Sequence, residues 1–124
     1  MTATRDQIDS ALKAGRPLID IITTGRESGH PRRIEIVFHR IDGRIYISGT
    51  PNPRKRSWLT NLEANPAFTF HLKGSVEADL PATARVIDDE AERRSILTHI
   101  AEKWNADVEI MVRQSPLIEV TIDS

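Results

Sequence analysis

The chain has 124 residues, 39% of them hydrophobic and 28% charged, with 17 lysines and arginines against 18 aspartates and glutamates. That length suits one domain, residues 1–124, folding around its own core, and that composition excludes a disordered chain. The formal net charge of −1 excludes nucleic-acid binding by global charge, and the absence of cysteine excludes disulfides, thiolate metal sites and a cysteine nucleophile.

In residues 4–14, Ile8, Ala11 and Leu12 recur at helical spacing with Gly15 just beyond, which predicts a short N-terminal helix. Pro17 then opens a run rich in β-branched residues, 17–24, and residues 33–40 alternate Ile34, Ile36 and Phe38 with Arg33, Glu35, Val37 and His39; both read as strands. Asp42-Gly43 before "RIYISG" is the chemistry of a two-residue hairpin turn, so the strands on either side pair antiparallel. In "PNPRKRSWLTNLEANP", Asn52 is expected to cap a helix with Pro53 at its first position, Trp58, Leu59 and Leu62 form its apolar stripe, and Asn65-Pro66 stops it. Residues 67–74 and 82–88 predict a fourth and a fifth strand. Acid-rich residues 88–92 open a helix carrying Leu97, Ile100, Ala101 and Trp104 on one face, and residues 117–123 form a sixth strand. The pattern is α+β: a small barrel of about six mainly antiparallel strands with two to three peripheral helices. No signal-like segment opens the chain and no run approaches about 18 apolar residues, so a cytoplasmic protein without stable membrane insertion is expected.

Cations concentrate in two places. Residues 23–33, "TTGRESGHPRR", hold Arg26, Arg32 and Arg33 with His30 against the single acid Glu27, and Arg54, Lys55 and Arg56 fall in the expected first turn of the second helix. Cations there oppose the helix dipole beside backbone N–H groups that lack partners, and a bound phosphate or carboxylate resolves that conflict. The sequence reading is therefore one anion site built from both basic stretches. A solvated charged surface is the plainer alternative for either triplet alone.

Catalytic patterns are missing. His30, His39, His71 and His99 show no metal-ligand spacing, and Ser28, Ser48 and Ser57 lie in no nucleophile motif. The glycines of "GRESG" precede a strand instead of a helix, so they are not a dinucleotide fingerprint. No aromatic residue interleaves the basic triplets, which argues against a nucleic-acid partner.

"IITTGRESGHPRRIEIVF", followed by "YISGT" and "SWLTNLEANPAFTFHL", resembles the deazaflavin-dependent nitroreductase family, within the split β-barrel flavin-binding group that includes pyridoxamine phosphate oxidases. The match covers roughly residues 17–72. It implies a split β-barrel that binds coenzyme F420, a deazaflavin carrying a phosphate and an oligoglutamate tail, and hydride transfer to a small electron-poor hydrophobic substrate such as an enone, quinone or nitro compound. By the same resemblance Arg26, Ser28, Gly29 and Arg32 hold the phosphate and glutamyl carboxylates, Ser48 and Gly49 lie along the ring, and Trp58 with Asn61 sits in the binding helix. Charge adds Arg54, Lys55 and Arg56, with Ser57 beside them. No catalytic side chain is assigned. An FMN-dependent oxidoreductase and a non-catalytic cofactor- or lipid-binding protein of the same fold are the alternatives.

Two features depart from the family pattern. Glu27 stands where many relatives have lysine, and the only tyrosine is Tyr46, so the C-terminal segment offers no phenol donor. The exposed edges expected of a split barrel favour a homodimer, with a monomer as the alternative.

Overall fold

A computed structural model describes residues 4–14, 18–74 and 76–123. The expected helix stop at Gly15 and the strand start at Pro17 lie outside these residues. Ten elements follow in order: α1 (Arg5–Ala14), β1 (Leu18–Thr24), β2 (Pro31–Ile41), β3 (Arg44–Ser48), α2 (Ser57–Ala64), β4 (Ala67–Leu72), β5 (Ala78–Val86), α3 (Glu90–Trp104), α4 (Val108–Gln114) and β6 (Leu117–Ile122). The strands close into an antiparallel barrel in the order β1-β2-β3-β6-β5-β4.

Alternation decides which side chains enter the barrel. Ile19, Ile21, Phe38, Ile47, Phe70, Leu72 and Ile118 are buried inside, with Phe38 and Phe70 meeting edge to face at a centroid distance of 5.4 Å. Asp42 and Gly43 both have positive φ, at 51° and 76°, which confirms the hairpin chemistry of that dipeptide. The helix α2 lays Trp58, Leu59 and Leu62 onto this core.

A second core lies outside the barrel wall. Tyr46, Ile87 and Leu117 pack there with Ile96, Leu97 and Ile100 of α3 and Met111 and Val112 of α4. The four helices exceed the two to three expected because α4 was not read from the sequence. Asp107 caps it by accepting from the N–H groups of Glu109 and Ile110, and Val108, Met111 and Val112 share the face turned to α3.

Three further expectations change. The strand β5 begins at Ala78, four residues before the expected Ala82, in register with β4 from Leu72↔Ala78 onward. The helix α2 begins at Ser57, so the basic triplet precedes it: Arg56 is the N-cap residue with extended backbone, and Asn52 spends its Oδ1 on the Arg54 N–H at 2.9 Å instead of capping the helix. The expected exposed sheet edges shrink to overhangs, because the barrel closes while residues 31–37 of β2 pair with β1 alone and residues 78–81 of β5 with β4 alone.

Candidate functional site

The turn between β1 and β2 is short and internally bonded. The Gly25 N–H donates to the His30 carbonyl at 2.9 Å, the Gly29 N–H to the Gly25 carbonyl at 2.8 Å, and the His30 N–H to Ser28 Oγ at 3.1 Å. A side chain at residue 25 would stand 2.6 Å from Ser28 Oγ, so only glycine fits there, and Gly29 has φ 71°. Residues 32 and 33 belong to β2, which sends Arg33 across to Asp20 at 2.8 Å. Asp20 also takes Lys73 at 2.8 Å, and these two cations, Lys73 foremost, hold its carboxyl below the usual range.

Asn61 ties this turn to α2. It is buried, its Nδ2 donates to Thr23 Oγ1 at 3.2 Å, and its Oδ1 accepts from the Arg26 backbone N–H at 3.2 Å and from Arg26 Nη1 at 2.9 Å. One side chain thus fixes the barrel rim, the turn and the guanidinium of Arg26.

Between the turn and α2 opens a cleft of about 620 Å³. Of the residues singled out in the sequence, Arg26, Ser28, Arg32, Ser57, Trp58 and Asn61 line it, as does Glu27; Thr23, Pro31, Arg33 and Ile34 complete much of the wall. Arg32 forms no ion pair with a described residue, whereas Arg33 is committed to Asp20.

The second basic stretch lies elsewhere. Arg54, Lys55 and Arg56 line a separate cleft of about 470 Å³ together with Arg93 of α3 and Arg113, Gln114, Ser115 and Pro116 at the end of α4. The structure therefore does not join the two basic stretches in one cavity; α2 stands between them, with Arg56 on one side and Ser57 on the other. Lys55 is paired with Glu63, and Arg56 donates from Nη2 to Thr50 Oγ1 at 3.1 Å. The expected dipole conflict at α2 is thus partly met within the chain by the Glu63 carboxylate.

Gly29, Ser48 and Gly49 line neither cleft. Ser48 is fully buried and donates its hydroxyl to the Pro116 carbonyl at 2.6 Å, tying the end of β3 to the start of β6. A side chain at Gly49 would come within 3.1 Å of Arg56 Nη2, so the glycine gives that guanidinium room.

Sequence reasoning missed Arg93 and Arg113. Arg113 could have been found had α4 been recognised from its Asp107 cap. Arg93 gave no local signal, because its role depends on four carbonyl oxygens contributed by Ile87, Met111, Val112 and Ser115.

Residues 3–123 match the model of the F420H2-dependent quinone reductase family. The chain belongs to that family. It is an F420H2-dependent reductase, and its cofactor is coenzyme F420. Solved structures similar to it include an F420H2-dependent reductase at 24% identity and TM-score 0.64, covering 86% of this chain and 95% of that one. A pyridoxamine 5′-phosphate oxidase-like protein of Listeria innocua has TM-score 0.70 at 14% identity over 96% and 93% of the two chains. The heme storage protein of Vibrio cholerae has TM-score 0.71 at 14% identity over 100% and 92%. Identities this low show the shared split-barrel fold alone. Because that fold serves a reductase and a storage protein alike, the family match carries the activity. Among the described residues no helix is long and apolar enough to cross a membrane, and no cluster of metal-ligating side chains occurs.

Proposed function

We propose that the cleft between the β1–β2 turn and α2 holds the phosphate and carboxylate tail of F420, and that the chain uses it to reduce a small electron-poor substrate such as a quinone, enone or nitro compound. The observation that carries this reading is the grouping of Arg26, Arg32, Ser28, Ser57, Trp58 and Asn61 around one cleft, with Arg32 unpaired among the described residues. The residues suit such a ligand. Guanidinium groups recognise phosphate and carboxylate through charge-assisted hydrogen bonds, and α2 opens with neither a side-chain cap nor an acid in its first turn, which leaves backbone N–H groups for an anion.

When bound, reduced F420 supplies the hydride. The chain's own contribution is placement. Asn61 holds Arg26 and the turn rigidly against the barrel, so the anion-binding groups are positioned before the ligand arrives. Trp58 is both core and cleft wall, and it offers an apolar surface beside the polar one. The one acid in the wall, Glu27, opposes the tail by Coulomb repulsion. The only tyrosine, Tyr46, is buried in the second core away from both clefts, so the substrate's proton comes from water and not from a phenol.

Titrating the protein with oxidised F420 and with FMN while following tryptophan fluorescence tests the reading. Saturable quenching by F420 at low micromolar concentration, with FMN weaker, is expected. FMN binding without F420 binding would refute it.

A further inference from the structure

The second cleft has no place in the cofactor reading, and its chemistry is specific. Arg54, Lys55, Arg56, Arg93 and Arg113 line it, and no carboxylate does. Lys55 is answered by Glu63, but among the described residues no acid lies within ion-pairing distance of Arg54, Arg56, Arg93 or Arg113. Arg93 is the informative one. Its guanidinium is half-buried and held by the carbonyl oxygens of Ile87, Met111, Val112 and Ser115, neutral acceptors that fix the cation without cancelling it. Burial lowers its pKa from the ordinary arginine value against the opposing pull of the Asp88 charge, which marks a cation placed at some cost. Clustered cations in a concave wall focus a positive potential into the space they enclose.

Ser115 adds an independent sign. It is buried at 4% exposure, it forms part of this wall, and its hydroxyl has no hydrogen-bond partner among the described residues. A buried hydroxyl without a partner is unfavourable, and this one belongs to a residue in the wall of the cationic cleft. The two clefts flank the start of α2, with Ser57 in the wall of one and Arg56 in the wall of the other.

We propose that this second cleft binds the carboxylate or phosphate group of an acidic substrate, so that the reductase selects electron-poor acids over neutral analogues. The inference rests on the reading that F420 occupies the first cleft. In the reduction the substrate gains a hydride from reduced F420 and a proton from water, and the proton that oxidation of the cofactor releases returns to water, so atoms and charge balance.

The test compares menadione with its analogue bearing a carboxylate in place of the methyl group, in the wild-type protein and in the R54Q/R113Q variant. Both replaced side chains are exposed and unpaired among the described residues, so folding should survive, and thermal unfolding checks this. Expected are an increase of about tenfold in the ratio of KM for the acid to KM for menadione, loss of the calorimetric binding heat of the carboxylated analogue to the cofactor-free protein, and an unchanged F420 affinity. An unchanged ratio overturns the proposal. A parallel loss of F420 affinity also overturns it, since the cations would then belong to the cofactor. Should the wild-type protein fail to bind F420, the cofactor reading falls by itself, and the calorimetric comparison still decides whether the second cleft is an anion site.

Discussion

The cleft beside the 25–30 turn and the cleft beside α4 carry the same sign of charge and flank the same helix, yet their polar groups are held in different ways. On the first side the buried polar atoms are satisfied within the chain: Asn61 engages Thr23 and Arg26, and the turn bonds to itself. On the second side Ser115 Oγ in the cleft wall lacks a partner; the other such buried side-chain atom among the described residues, His39 Nε2, lines neither cleft, its ring lying against Trp104 of α3. The difference teaches that charge alone does not define a site. Each cleft combines a braced guanidinium, Arg26 on Asn61 and Arg93 on four carbonyl oxygens, with an arginine that has no ion-pair partner among the described residues.

The sharpest way to break the contrast is to remove its brace. Asn61→Leu leaves Thr23 and the Arg26 turn without their shared partner, which should cost about 2–4 kcal/mol in urea unfolding and weaken F420 binding by more than about tenfold. A variant of wild-type stability and affinity would show that the brace is ornamental.

The packing of β2 against α3, outside both clefts, is probed through pH. Burial, with the Lys103 charge adding to it, pushes the His39 pKa down to about 4, and its ring meets Trp104 edge-on at 5.2 Å. The unfolded chain takes up that proton near the ordinary value of about 6.5, whereas the folded chain resists it. Stability is therefore complete above that pH, falls by up to about 3 kcal/mol as pH drops toward 4, and levels off below. His39→Phe should flatten this part of the profile in chemical denaturation at stepped pH, and an unchanged slope would assign the acid sensitivity elsewhere.

Arg32→Ala should weaken F420 binding by about 1–3 kcal/mol without moving the unfolding midpoint, because the side chain has no ion-pair partner within the chain to lose. The smallest change expected is from Glu27→Lys, which should tighten binding by about 0.5–1 kcal/mol at low salt and by less as salt screens the tail. Fluorescence titration at two ionic strengths reads both effects.

Much of the fold was legible in the residues. The alternation in β2 and β4 and the Asp42-Gly43 turn carry local signals strong enough to survive tertiary packing. The helix α4 was hidden because Val108, Ile110 and Val112 alternate like a strand, and only the Asp107 cap and packing on α3 settle the issue. The first cleft was legible because its residues cluster in two short stretches. Its separation from the second was not, since the start of α2 turns on the Asn52–Arg54 hydrogen bond, and Arg93 and Arg113 join only through long-range packing. Ser48 shows the same limit: a small polar residue at a strand end looks the same in sequence whether it faces a ligand or, as here, a buried carbonyl.

The most direct test of the division between the clefts is an F420 titration of wild-type protein, R32A and R54Q/R113Q, each in a Trp104→Phe background so that fluorescence reports Trp58 in the first cleft. The account predicts saturable quenching in the wild-type protein and in R54Q/R113Q, with R32A weakened about tenfold or more. Quenching that persists in R32A and disappears in R54Q/R113Q would contradict it, and would move the cofactor to the other side of α2.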